Sequence, residues 1–168
     1  NLNLHGKVAL VTGSYRGTGA GIAERLGAEG AHVIVHGFLE DETQVVFEQL
    51  ANKEINVTRL EANLLDLDHD EIKSLLPPID ILINNYGTPR RSSWESTESW
   101  IEEWEHNVLM GVKLSQVVVG GMSDRGWGRI LFMGTIGIEN PGTHSPGYYG
   151  SKAALVPIVK SLARELNQ

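Results

Sequence analysis

Val8-Ala9-Leu10-Val11-Thr12-Gly13-Ser14-Tyr15-Arg16-Gly17-Thr18-Gly19 is the stretch on which the fold turns. Its first four residues form an uninterrupted apolar run, the pattern of a strand buried on both faces, as strands are in a parallel sheet. Glycines follow at 13, 17 and 19, and from Gly19 onward Ile22, Ala23, Leu26 and Gly30 fall at helical spacing, with Glu24, Arg25 and Glu29 between them. A strand, a glycine turn and a helix in that order predict a phosphate-binding turn. Glycine lets the backbone turn sharply and come close to a diphosphate, while the helix start offers unpaired N–H groups at the positive end of its dipole.

The same alternation runs on through the chain. His32 to Val35 reads as a second buried strand, Thr43 to Leu50 as a helix, and Val57 to Ala62 as a third, weaker strand. Asp68 to Leu76 reads as a helix ended by Pro77-Pro78, and Ile79 to Ile83 as a fourth strand. Trp94 to Ser123 reads as one or two helices, Arg129 to Met133 as a fifth strand, and Tyr148 to Leu166 as the last helix. Strands alternating with helices imply right-handed βαβ units, hence an α/β fold with a doubly wound parallel sheet of Rossmann type. With no linker, repeat or low-complexity segment, residues 1–168 are expected to form a single dinucleotide-binding and catalytic domain. Pro157 conflicts with the last helix, because an interior proline removes a donor and costs about 3 kcal/mol unless a kink accommodates it.

Composition narrows the function classes. The 168 residues carry 14 Lys+Arg against 21 Asp+Glu, a formal net charge of −7. That balance argues against a dedicated nucleic-acid binder, which would carry a basic face. The absence of cysteine excludes disulfides and thiolate chemistry. Neither a signal-peptide pattern nor an apolar run of the roughly 18 residues that a membrane span needs is found, so a cytoplasmic protein is expected. The histidines His5, His32, His36, His69, His106 and His144 show no metal-ligand spacing and read as surface or turn residues, so no metal is expected. Glu102, Glu103 and Glu105 read as a solvated face, Trp100 and Trp104 as packing, and Arg90-Arg91 as a solvated loop pair with anion attraction as the alternative.

The glycine spacing is TGxxxGxG rather than GxGxxG, and three further motifs follow it in order. Asn84-Asn85-Tyr86-Gly87 succeeds the fourth strand, Asn107 lies within the long helical stretch, and Tyr148-Tyr149-Gly150-Ser151-Lys152 reads as Tyr-x-x-x-Lys, with Thr135 thirteen residues before the tyrosine. In these features the chain resembles the short-chain dehydrogenases/reductases along its whole length. The resemblance implies catalytic roles for Tyr148, Lys152, Thr135 and Asn107, and cofactor contacts from Gly13, Ser14, Tyr15, Arg16, Gly17, Gly19, Asn63, Asn85, Gly87 and Lys152. Three positions depart from the family pattern: Thr135 stands for the usual serine, Tyr86 for a small alanine, and Asn63 for the aspartate beside the adenine. The resemblance also implies two further strands and a substrate loop after the last helix, which are absent from these 168 residues. The fifth strand is therefore expected to show a bare edge, covered either by chain beyond Gln168 or by another chain.

Spacing supports the chemistry. Tyr148 and Lys152, four apart on a helix, share one face. A phenol with an ordinary pKa of about 10 becomes a usable acid/base when a neighbouring ammonium stabilises its phenolate. The end of the second strand, Val35-His36-Gly37-Phe38, has no acid until Glu40 to bind ribose hydroxyls, and Arg16 is placed to meet a 2′-phosphate. The expected activity is an NADP(H)-dependent alcohol dehydrogenase or carbonyl reductase, with NAD(H) as second cofactor, acting on a small alcohol or carbonyl substrate. By analogy with the family, the apolar faces Val108, Val112, Val117 and Leu155, Ile158, Leu162 imply a homodimer or homotetramer, with burial against the chain's own sheet as the alternative. The rival reading is a non-catalytic nucleotide-binding module, or a regulatory partner in an oligomer.

Overall fold

In the computed structural model, which describes residues 2–89 and 92–166, the elements follow one another as β1 (Val8–Val11), α1 (Gly17–Ala28), β2 (His32–Gly37), α2 (Gln44–Ala51), β3 (Val57–Glu61), α3 (His69–Leu75), β4 (Ile81–Asn84), α4 (Glu98–Trp104), α5 (Met110–Asp124), β5 (Arg129–Phe132) and α6 (Pro146–Leu166). The strands form one parallel sheet in the order β3-β2-β1-β4-β5. Alternation along β1 divides the core between the two faces. Ala9 and Val11 pack with Val33, Val35, Ala23 and Val46, towards α1 and α2, while Leu10 packs with Ile34, Leu82, Ile72 and Leu114, towards α3 and α5. A sheet covered on both sides needs its central strands apolar on both faces, and this is why Val8–Val11 of β1 and Ile81–Ile83 of β4 are continuous apolar runs.

The chain moves outward from β1 to β3 and then crosses back to β4. The loops after β1 and β4 therefore diverge, opening a crevice at the carboxyl ends of the central strands. Among the described residues β5 pairs only with β4, and Leu131 on it is 46% exposed, so β5 is an open edge there, as the sequence leads one to expect. Among the described residues, no helix is long and apolar enough to cross a membrane.

Most boundaries shift by one or two residues from the sequence reading, β4 starting at Ile81 rather than Ile79, and three differences bear on the site. β2 continues past Val35 to Gly37. The 94–123 stretch starts as helix only at Glu98 and contains a π-helical segment, Glu105–Leu109, between α4 and α5. α6 begins at Pro146, a residue whose fixed φ and missing N–H suit a first helical turn. Pro157 sits on the exposed side of α6, and the helix continues through it. Arg90 and Arg91 lie outside the described residues.

Candidate active site

The glycine turn between β1 and α1 forms one wall of the crevice. Gly13 (φ +61°) and Gly17 (φ +56°) hold left-handed backbone that a side chain would strain. A Cβ on Gly19 would come within 2.6 Å of the Gly13 carbonyl oxygen. Arg16, the residue before the first helical turn, places no side chain over that turn's N–H groups. The backbone can thus approach an anion closely at a helix start, which fits a dinucleotide's diphosphate.

The turn is braced from beneath by polar residues. Ser14 Oγ donates to the Val11 carbonyl (2.7 Å) and accepts from the His36 N–H (2.9 Å). His36 Nδ1 accepts from the Gly13 N–H (3.1 Å), which assigns the ring proton to Nε2, 3.1 Å from the Ala62 carbonyl. The surface reading of the histidines is therefore corrected at His36, which is fully buried. Thr12 Oγ1 donates to the Ile83 carbonyl and accepts from the Asn85 and Tyr86 N–H groups, and Asn85 Nδ2 donates to the Thr12 carbonyl (2.8 Å). Thr12 and His36 were missed as site residues. The available signal was a polar residue, His36, continuing an apolar strand.

Burial pushes the His36 imidazole down to about 4 from an ordinary 6.5. With the folded value depressed, its stability contribution is complete above pH 6.5 and is lost as pH falls through 4. Urea midpoints between pH 7 and 4 should show a loss on the order of 2–3 kcal/mol that is flattened in His36→Gln. An unchanged pH dependence in that variant would contradict the buried neutral ring.

Facing the glycine turn is the start of α6. Gly13, Tyr15, Arg16, Gly17 and Gly19 line one side of a cleft of about 300 Å³. Gly87, Tyr148 and Lys152 also line the cleft, and Asn85 lies against the turn itself. Lys152 is 3% exposed, and its Nζ donates to the Met133 carbonyl at 2.9 Å. Burial pushes the ammonium down to about 8 from an ordinary 10.5. Asn107 lies in the π-helical segment, buried, with neither side-chain amide atom bonded to protein among the described residues. A Cβ on Gly87 would fall 2.5 Å from Lys152 Nζ and 2.6 Å from Asn107 Oδ1, so these two groups flank one glycine.

The other sequence-selected residues stand apart from the cleft lining. Ser14 is spent inside the turn, as described. Asn63 donates to Asp66 Oδ2 (2.7 Å) and accepts from the Leu65 N–H. Thr135 Oγ1 accepts from the Gly137 N–H (3.2 Å), a bond that engages the oxygen and leaves the hydroxyl proton. Glu103 is fully buried rather than solvated. Ser92 Oγ donates to its carboxylate (3.0 Å) and accepts from the Gly147 N–H (2.9 Å), tying α4 to the turn that carries Tyr148.

Comparison with known proteins adds sequence and structural kin. The family model for short chain dehydrogenase matches residues 7–168. The 3-oxoacyl-[acyl-carrier-protein] reductase FabG of Aquifex aeolicus is 36% identical over 180 residues, covering 98% of this chain and 70% of that protein. Its Escherichia coli counterpart is 34% identical over 171 residues, with coverage of 98% and 69%. Among solved structures, a 3-oxoacyl (acyl-carrier-protein) reductase from Agrobacterium tumefaciens with NADP bound superposes with a TM-score of 0.88 at 30% identity, covering 98% of this chain and 66% of that one. The L-sorbose reductase of Gluconobacter frateurii, complexed with NADPH and L-sorbose, gives 0.88 at 32% identity with the same coverage. The chain thus spans about two thirds of the length of the proteins it matches.

Proposed function

The chain belongs to the short-chain dehydrogenase family, and from that premise we propose that it is an NADP(H)-dependent oxidoreductase interconverting an alcohol and a ketone or aldehyde, with residues 1–168 acting as one binding and catalytic unit. The observation that carries this reading is the buried Lys152 ammonium, in the same cleft as Tyr148 and opposite a glycine turn shaped for diphosphate. A nicotinamide cofactor held in this cleft would supply or accept the hydride.

The chain's own residues manage the proton. Tyr148 Oη gives a proton to the substrate oxygen during reduction and takes it back during oxidation. Lys152, one helical turn along, remains mostly cationic at neutral pH with its value near 8, and so stabilises the phenolate left behind. Asn107, with its amide unspent on protein beside Gly87, holds a water in a relay to Lys152. The Thr135 hydroxyl proton orients the substrate oxygen. Gly13, Tyr15, Gly17, Gly19, Asn85 and Gly87 hold the dinucleotide backbone, with Ser14 and Asn63 supporting the turns beneath it.

NADP(H) is preferred over NAD(H) because Arg16 is an exposed cation at the rim of the glycine turn. Glu42, whose carboxylate lies against Gly37 at the end of β2, is turned into its own loop, accepting from the Phe38 and Leu39 N–H groups. Two relatives' structures, named for bound NADP and NADPH, agree with this preference. Arg16→Ala should weaken NADPH binding about 10- to 100-fold, the worth of a charge-assisted bond, and leave NADH affinity unchanged. Equal losses for both cofactors would count against it.

Oxidation of NADPH over a panel of carbonyl compounds, run beside a binding titration, tests the whole reading. Binding and turnover together are expected. Binding without turnover on any compound would favour the nucleotide-binding module instead. We further assign the enzyme to the cytoplasm, as a homodimer or homotetramer. Leu109, Val156 and Leu166 leave exposed apolar surface on and beside α5 and α6, although Val108, Val117 and Leu155 are taken up by the chain's own core. Sedimentation equilibrium checks the assembly.

A further inference from the structure

We propose that Tyr86 is a side-chain gate on the adenosine half of the crevice, held shut against Phe38 and swung aside when the dinucleotide seats. This rests on the reading of the crevice as an NADP(H) site. In a sheet of this topology the diphosphate meets the start of α1 and the adenosine extends over the end of β2, here Gly37-Phe38.

Tyr86 stands across that path. Its Cδ2 would lie 2.9 Å from a Cβ on Gly13, so the ring leans over the glycine turn. The Tyr86 and Phe38 ring centroids are 4.4 Å apart at 50°. Rings in such direct contact leave no gap for a base between them. His36 abuts Phe38 edge-on at 5.1 Å, and His106 lies 5.9 Å beyond Tyr86, completing a row of rings from β2 to the π-helical segment.

Tyr86 forms part of the cleft wall at this row, whereas Gly37, Phe38, Ala62 and Asn63 do not line the cleft. Its volume of about 300 Å³ lies at the bottom of the range for small-molecule sites, and a dinucleotide phosphate is a large ligand. The backbone at Tyr86 is pinned, its N–H donating to Thr12 Oγ1 at 3.0 Å. Opening is therefore a side-chain rotation that breaks the ring contacts with Phe38 and His106 among others, and the binding energy of the adenosine half supplies that cost.

Calorimetric titrations of wild type, Tyr86→Ala and Phe38→Ala with NADPH, adenosine 2′,5′-bisphosphate and nicotinamide mononucleotide test the gate. Both variants should bind NADPH and the adenosine bisphosphate about three- to tenfold tighter, since the contact between Tyr86 and Phe38 no longer has to be broken. The mononucleotide, which lacks the adenosine half, should bind all three proteins alike. Weaker adenosine binding in Tyr86→Ala would make the ring a stacking platform and overturn the gate, and so would unchanged affinity. Because Phe38→Ala opens the same contact from the other side, the result does not hang on one variant folding. Failure of wild type and both variants to bind NADPH at all would instead remove the cofactor reading beneath the proposal.

Discussion

Tyr148→Phe should lower turnover by about 10³-fold or more while leaving the dissociation constant for NADPH within about twofold of wild type. The substitution removes one oxygen and keeps the ring, including its edge-on contact with Tyr149 at 5.4 Å. The diphosphate cradle is braced by Thr12, Ser14 and His36, whose described hydrogen bonds run to β1, β2, β4 and the turns after strands rather than to α6. Binding and chemistry should therefore separate. Steady-state rates beside a fluorescence titration read both quantities. Rates near wild type would mean that another group moves the proton, and the mechanism would fall.

Lys152→Met should abolish measurable turnover and yet make the protein more stable at neutral pH. The ammonium is almost fully buried, and its one described bond runs to the Met133 carbonyl. Its folded value near 8 lies below the ordinary 10.5, so burial of the charge opposes folding. Below pH 8 both states are protonated and the full penalty applies. Between 8 and 10.5 the unfolded chain binds the extra proton, so wild-type stability rises with pH across that window. Methionine fills similar volume without the charge. Allowing about 1 kcal/mol for the lost bond to Met133, the variant should gain about 1–2 kcal/mol at pH 7, and the gain should shrink towards pH 10.5. Urea midpoints at pH 7 and 10 measure it. A pH-independent loss of stability would show that Lys152 contributes packing rather than a costly charge. A stability gain joined to lost activity is the pattern expected where a site keeps an unfavourable group for function.

Not all of this was legible in the residues alone. The parallel sheet was legible because its central strands are covered on both faces: Val8–Val11 and Ile81–Ile83 are apolar without alternation, and the glycine turn marks where strand becomes helix. The shared placement of Tyr148 and Lys152 was legible too, since residues four apart on a helix share a face, and both line the cleft. Glu103 and His36 were misread because their burial depends on partners distant in the chain. Ser92 and Gly147 enclose the first, and Gly13 and Ala62 the second. Thr135 and Asn63 kept their expected places in the chain, but their side chains bond to the local turns.

Local pattern, then, was sufficient for the order of strands and helices, the glycine turn and the helical pairing of phenol with amine, because each depends on spacings of a few residues. Tertiary contact alone decided that Lys152 is buried beside Asn107, that His36 is a neutral brace, and that the Tyr86 ring meets Phe38 across the crevice. Those outcomes turn on which distant segments exclude water from a polar group, and desolvation is a property of the packed molecule rather than of any short stretch of chain.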